Sequence, residues 1–225
     1  MSSFNRKSIR YLLEWKERAG RKPLILRGAR QVGKTTLVRT LAVYFDHYIE
    51  LNLEKGADRE IFETTDEVKK ILQLLFLRNN ILRNQDKTVL LFIDEIQHSA
   101  NAIRQLRYFF EEAKEIHVIA AGSVLESLMN RQISFPVGRV EYLMLRPFSY
   151  DEFLDAAGEK LSLDILDKIP VPDYAHGKLM DLFTEYCLIG GMPEIIKNYI
   201  EHHDLVAAGK IFRNLITTYL DDVEK

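Results

Sequence analysis

Gly28-Ala29-Arg30-Gln31-Val32-Gly33-Lys34-Thr35 decides the fold. The stretch matches G-x-x-x-x-G-K-[ST] at every fixed position, and its flanks carry as much weight as the match. Before it, Pro23-Leu24-Ile25-Leu26 is a short apolar run that suits a buried strand. After it, residues 34–45 read as a helix with Leu37, Val38, Leu41 and Ala42 on one face. Glycines at such a strand-to-helix turn let backbone N–H groups wrap a phosphate without side-chain clashes. The N-terminus of the following helix turns its positive dipole end toward the same anion. Lys34 adds a point charge between two phosphates, and the Thr35 hydroxyl is the ligand type that Mg²⁺ takes in this setting. The expected phosphate-binding set is therefore Gly28, Ala29, Arg30, Gln31, Val32, Gly33, Lys34, Thr35 and the adjoining Thr36.

Working outward, Val89-Leu90-Leu91-Phe92-Ile93 is a continuous apolar run closed by Asp94-Glu95. Buried on both faces, it suits a central parallel strand, whose C-terminal edge brings both carboxylates beside the loop. Asp94 is the expected Mg²⁺ partner, largely through water, and Glu95 the group that polarises an attacking water. Residues 116–121 read as the next strand and run into Gly122-Ser123. There a polar side chain either orients the water near the γ-phosphate or caps a helix over residues 124–129. Gly138-Arg139 precedes a strand over residues 140–145. Arg139 reads either as a finger reaching a neighbouring subunit's nucleotide or as a surface arginine.

The remaining pattern supports one fold class. Residues 6–19 read as an amphipathic helix, 48–53 as a strand, 66–82 as a long helix, 102–113 as a helix, and 150–157 as a helix with Ser149 and Glu152 at capping-box spacing. Alternating strands and helices imply an α/β core with a parallel sheet flanked by helices. After Gly158 the pattern turns helical only, over 178–188, 194–201 and 205–223. The expected organisation is a P-loop core over residues 1–160 and a small all-helical lid over 161–225. On the last helix Leu205, Ala208, Phe212, Leu215, Tyr219 and Val223 form the expected stripe. Cys187 and Tyr108-Phe109-Phe110 read as core, and His98 and His202-His203 as surface.

Composition narrows the class further. Among 225 residues, 47% are hydrophobic and 28% charged, and one is cysteine. That is ordinary for a soluble globular chain, excludes an intrachain disulfide and fits a reducing, cytoplasmic compartment. No apolar run is long enough to span a bilayer. Residues 1–40 hold eleven Lys/Arg against two Glu, a balance that suits either a basic helix with a phosphate loop or a face for nucleic acid.

Five segments in this order resemble one family: GARQVGKT, VLLFIDEIQ, VIAAGS, FPVGRVEYLMLRPFSYDEFL and GGMPE. Together they are similar to prokaryotic AAA-type ATPases of the AAA+/STAND-like group, over about residues 6–222. Such proteins usually carry a further C-terminal domain, often likened to a restriction-nuclease fold, and this chain looks like the N-terminal ATPase part. The resemblance implies ATP and Mg²⁺ as ligands, Lys34 and Thr35 at the phosphates, Asp94 and Glu95 as the acidic pair, Ser123 as sensor and Arg139 as the arginine of the Gly-Arg element. It also implies that Pro193, in Gly190-Gly191-Met192-Pro193, lies near the adenine. The expected function is Mg²⁺-dependent ATP hydrolysis that drives a conformational change, by a chain that can self-associate. The alternative is a slow ATP/ADP switch presenting a surface to a partner, DNA among the candidates.

Overall fold

A computed structural model describes residues 4–82, 84, 86–122 and 136–223. The chain divides into two compact units, each discontinuous in sequence. One comprises Ser8–Ala29 and Lys34–Leu145, and the other Met1–Lys7, Arg30–Gly33 and Arg146–Lys225.

The first unit is built on β1 (Leu24–Arg27), β2 (His47–Asn52), β3 (Val89–Asp94), β4 (Ile116–Ala121) and β5 (Glu141–Met144). They form a five-stranded sheet in the order β2-β3-β4-β1-β5, and every pair is parallel. β3 and β4 are buried at all six positions, which accounts for their unbroken apolar sequence. Helices α1 (Ser8–Glu17), α2 (Lys34–Ala42), α3 (Gly56–Thr64), α4 (Val68–Arg78) and α5 (Ala100–Glu112) complete the unit. Leu91 and Ile93 share one hydrophobic cluster with Phe62 of α3, Ile71 and Leu75 of α4, and Ile103, Leu106 and Phe109 of α5. Each such side chain contributes about 1.5–3 kcal/mol by leaving water. α1 buries Leu12 and Trp15 completely, and the Trp15 Nε1–H donates to the Lys22 carbonyl at 2.9 Å.

The sheet order puts the reversal of chain direction between β1 and β4: the connection after β1 runs to β2 at one edge, and that after β4 to β5 at the other. Parallel α/β sheets open a crevice at the carboxyl ends of such a strand pair. Leu26 is level with Ala121 and Ile93 with Ala120. Hence Asp94 ends its strand level with the last residues of β1, where Gly28-Ala29 begins the loop.

The second unit contains α6 (Tyr150–Ala156), α7 (Lys160–Leu166), α8 (Asp173–Ile189), α9 (Pro193–His202) and α10 (Leu205–Val223). Phe148, Phe153, Leu154, Ile195, Ile196, Tyr199, Ala208 and Leu215 form its core. Gly190 ends α8 at φ 71°, a left-handed conformation that glycine adopts without steric cost. Gly191 is fixed by space: a Cβ there would lie 2.3 Å from the Phe148 carbonyl oxygen.

Several expectations need correction. Two helices escaped the periodicity reading. α3 turns only Asp58 and Phe62 inward, so its stripe contains a carboxylate, held by the Asn52 N–H at 3.0 Å and by Arg78 at 2.7 Å. α7 has seven residues and buries only Ser162 and Ile165. The helix expected over 66–82 stops at Arg78, and Asn80 turns left-handed just beyond it, φ 51°. The helix expected over 178–188 begins earlier, at Asp173, and holds Gly177 within it. Cys187 is exposed, off the α8 face that carries Leu179 and Ile189 inward. In Tyr108-Phe109-Phe110 only Phe109 is fully buried, with Tyr108 39% exposed. The α10 stripe splits: Ala208 and Leu215 are buried, whereas Leu205 and Phe212 are about half exposed, with Val206, Ile216 and Leu220 also outside. Ser123 and the helix expected over residues 124–129 fall outside the described residues. Among the described residues no helix is long and apolar enough to cross a membrane.

Candidate nucleotide site

The loop leaves β1 through Gly28, whose φ is 149°, passes Gln31 at φ 60° and reaches Gly33 at φ 96°. A left-handed conformation at Gln31 costs roughly 1–2 kcal/mol, strain of the kind that surrounding contacts must hold. α2 begins at Lys34. Lys34 is 7% exposed, and its ammonium donates to the carbonyls of Gly28 and Ala29, both at 2.9 Å. Its charge therefore lies inside the curl of the loop.

One helical residue further on, the Thr35 Oγ1–H donates to Asp94 Oδ2 at 2.7 Å. The other oxygen of Asp94 accepts the Glu95 N–H at 3.0 Å. Asp94 is almost buried, and burial is the main reason its pKa lies above the usual carboxylate value. The Thr35 hydrogen bond opposes that rise, and the charge of Glu95 adds to it. Glu95 itself is left-handed, φ 52° and ψ 44°. Its carboxylate accepts from the Gln97 side-chain amide. Thr36 is exposed, and its carbonyl accepts from the Thr40 hydroxyl.

The donor set is hydroxyl plus carboxylate. Among the described residues no group of three His, Cys, Asp or Glu could cage a metal ion. Oxygen-only donors that leave most coordination positions to water and phosphate oxygens are what Mg²⁺ prefers, so Thr35 and Asp94 fit that ion.

The crest of the loop, Arg30–Gly33, belongs to the second unit. The Tyr219 hydroxyl, on α10, donates to the Arg30 carbonyl at 2.8 Å. Arg6 Nη1 donates to the Val32 carbonyl at 3.1 Å. The same guanidinium pairs through Nε with Glu152 at 3.2 Å, side chains 9% and 7% exposed, and lies 4.3 Å over the Phe148 ring. Glu152 also accepts the backbone N–H groups of Lys7 and Ser149. Pro193, the first residue of α9, lies beside Gly33: a Cβ on that glycine would be 3.8 Å from Pro193 Cγ and 3.9 Å from Arg6 Nη1. Arg6 and Tyr219 were not expected here. Tyr219 is 189 residues from its partner and read as an inner-stripe residue, and Glu152 read only as a cap, so local sequence carried no signal for these contacts.

Arg139 stands apart from Lys34, Thr35 and Asp94. It precedes β5, whose Glu141 is level with Leu24 at the start of β1, so it occupies the strand-start edge of the sheet. Its Nε donates to Glu111 at 2.9 Å. Arg139 first, then Arg107, holds the Glu111 carboxyl below its usual pKa. Several of the cations in the basic N-terminal segment form ion pairs within the chain, among them Arg6 with Glu152, Lys7 with Asp151, Arg18 with Glu141 and Arg39 with Glu50.

A parallel sheet with this glycine loop after β1 and a carboxylate closing β3 defines a P-loop nucleotide-binding domain. A family model described as an AAA domain matches residues 20–154, and the chain belongs to that family. Among solved structures it is similar to the Walker-type ATPase of Pyrococcus abyssi, with TM-score 0.60 and 18% identity over 99% of this chain and 76% of that one. It is also similar to the Orc1 protein of Aeropyrum pernix, solved in complex with DNA, with TM-score 0.43 and 15% identity over 71% of this chain and 50% of that one. The first likeness supports the fold. No curated protein matches the chain.

Proposed function

We propose that this AAA domain hydrolyses ATP in a Mg²⁺-dependent reaction and uses the turnover to change conformation. The observation that carries the reading is the hydrogen bond from Thr35 to Asp94 at 2.7 Å, one residue from a buried lysine folded into its own glycine loop. Lys34, buried inside the curl of its own loop, places its charge where the phosphate oxygens bind. Backbone N–H groups of the loop bind the phosphates, and Pro193 packs toward the adenine. Thr35 and Asp94 would hold Mg²⁺, which would neutralise developing charge on the phosphate oxygens. Glu95 accepts a hydrogen bond from the attacking water and turns its lone pair toward phosphorus, while Ser123 orients that water. Catalysis is positioning and charge stabilisation, with little covalent work by the protein. Arg139 serves the nucleotide of a second copy.

Phosphate release under multiple turnover, with Mg²⁺ and with EDTA, tests the reading in the wild type and in Lys34→Ala. Release that needs both Mg²⁺ and Lys34 supports it. Tight ATP binding without release assigns the chain to the nucleotide-switch class instead.

A further inference from the structure

We infer that Arg6 and Tyr219 are positioning residues of the nucleotide loop: by gripping two carbonyls on its crest they aim two backbone N–H groups at the phosphates. The inference rests on the nucleotide reading above and adds residues outside the P-loop motif.

The argument starts from peptide geometry. In a planar trans peptide the C=O of one residue and the N–H of the next point in opposite directions. Fixing the Val32 carbonyl therefore fixes the Gly33 N–H on the other side of the chain. Fixing the Arg30 carbonyl does the same for the Gln31 N–H. Arg6 takes the first carbonyl at 3.1 Å and Tyr219 the second at 2.8 Å.

Each grip is anchored by further contacts, the Arg6 bond being part-buried and the Tyr219 bond solvent-exposed. The Arg6 side chain is 9% exposed, paired with Glu152, stacked on Phe148 and also bonded to the Arg146 carbonyl. A guanidinium is a rigid fork that does not lose its proton, so its Val32 contact is set by those other partners. Tyr219 is part of α10, whose Leu215, one turn back, is buried in the core of its unit. The backbone between the two carbonyls needs such holding, because Gln31, which is not glycine, has a positive φ. When Lys34 leaves the Gly28 and Ala29 carbonyls for phosphate, the grips by Arg6 and Tyr219 persist. They act on the nucleotide-bound loop.

The test follows the amide signals of Gln31 and Gly33 by ¹⁵N NMR while ADP and Mg²⁺ are titrated into the wild type, Tyr219→Phe and Arg6→Lys. Lys34→Ala is the control. Tyr219→Phe removes one hydroxyl and keeps the ring. We expect it to weaken ADP about 3–10-fold, the worth of one hydrogen bond, and to diminish the nucleotide-induced shift of Gln31 while sparing Gly33. Arg6→Lys keeps a cation beside Glu152 but cannot form the fork, and we expect the reverse pattern, with Gly33 affected. Wild-type affinity and wild-type shifts in both variants overturn the inference while the nucleotide reading stands. A lowered melting temperature with unchanged ADP affinity makes both residues structural braces and also overturns it. Should the wild type bind no ADP, or Lys34→Ala bind it equally well, the nucleotide reading fails and takes the inference with it.

Discussion

Thr35 and Asp94 are separated by 59 positions and joined by one 2.7 Å hydrogen bond from hydroxyl to carboxylate. The bond spans the end of β3 and the first turn of α2, and it brings together the two oxygen donors that suit a hard cation.

Asp94→Asn tests the charge of that pair while keeping its shape. The amide still accepts from Thr35 through its carbonyl but carries no charge. ATP affinity in EDTA should stay near wild type, and the gain on adding Mg²⁺ should fall by about 10–100-fold, the equivalent of a lost charged hydrogen bond. Calorimetry with and without Mg²⁺ measures both numbers. An undiminished Mg²⁺ gain in the variant removes Asp94 from the ion's surroundings.

Glu95 combines a strained backbone with a half-buried carboxylate, φ 52° in a residue that is not glycine. Such strain costs roughly 1–2 kcal/mol and clusters at functional positions. Glu95→Gln should bind ATP as the wild type does yet lose about 10²–10⁴ in turnover, the range of general-base contributions. Glu95→Gly should lose the same turnover and melt a few degrees higher, because glycine relieves the strain. Wild-type phosphate release by Glu95→Gln would falsify the role given to this carboxylate.

The core of the molecule was legible in sequence because its signals are local. A continuous apolar run such as Val89–Ile93 needs burial on both faces, and β3 has it. The glycine loop needs a strand before it and a helix after it, and both are present. Legibility ended where the inward face was mixed or the contact distant. α3 points Asp58 inward, so no stripe announces it. Arg6 meets Val32 and Glu152, and Tyr219 meets Arg30, across chain separations that no periodicity encodes. α10 is apolar on two faces, and sequence alone could not say that Ala208 and Leu215 turn inward while Phe212 and Ile216 turn out.

His117 gives the fold a pH dependence whose sign can be worked out. Arg21 Nη2 lies 3.2 Å from His117 Nδ1, and a guanidinium can only donate, so Nδ1 accepts. Nε2 then carries the hydrogen and donates to the Lys16 carbonyl at 3.2 Å, with Phe45 and Trp15 edge-on to the ring. Burial first, and the Arg21 charge second, lower its pKa from 6.5 to about 4. The unfolded chain therefore takes up a proton that the folded chain refuses between those values. The stability tied to neutral His117 is fully present above about pH 6.5 and is lost as pH falls toward about 4. The loss amounts to about 3 kcal/mol at most. His117→Gln keeps a donor and an acceptor but does not titrate. Its melting temperature should fall less steeply than that of the wild type from pH 7 to pH 4.5. Parallel curves would show that another group sets the acid limit.

Arg139 occupies the edge of the sheet where strands begin, whereas the glycine loop leaves β1 at the opposite edge, after Arg27. Within one chain it is thus at the wrong end of the sheet to touch the phosphates that Lys34 serves. Its partner here is Glu111, in a pair that is 44% and 32% exposed. Exposed pairs of this kind contribute little to stability, so removing Arg139 should barely move the melting temperature, and a change in activity can be read as a change in chemistry. If a second copy brings Arg139 to a bound nucleotide, the rate gain is that of a finger supplied in trans, roughly 10³–10⁵. Phosphate release per chain should then rise with protein concentration, because each site is completed by mass action. Arg139→Ala should flatten that rise and leave ADP affinity within about twofold of wild type, well inside the effect of a single lost hydrogen bond. Glu111→Gln, which loosens the arginine from α5, should keep the rise. The measurement is a rate series across a wide concentration range, paired with sedimentation of the same samples. Activity per chain that is independent of concentration in the wild type leaves Arg139 as the surface partner of Glu111.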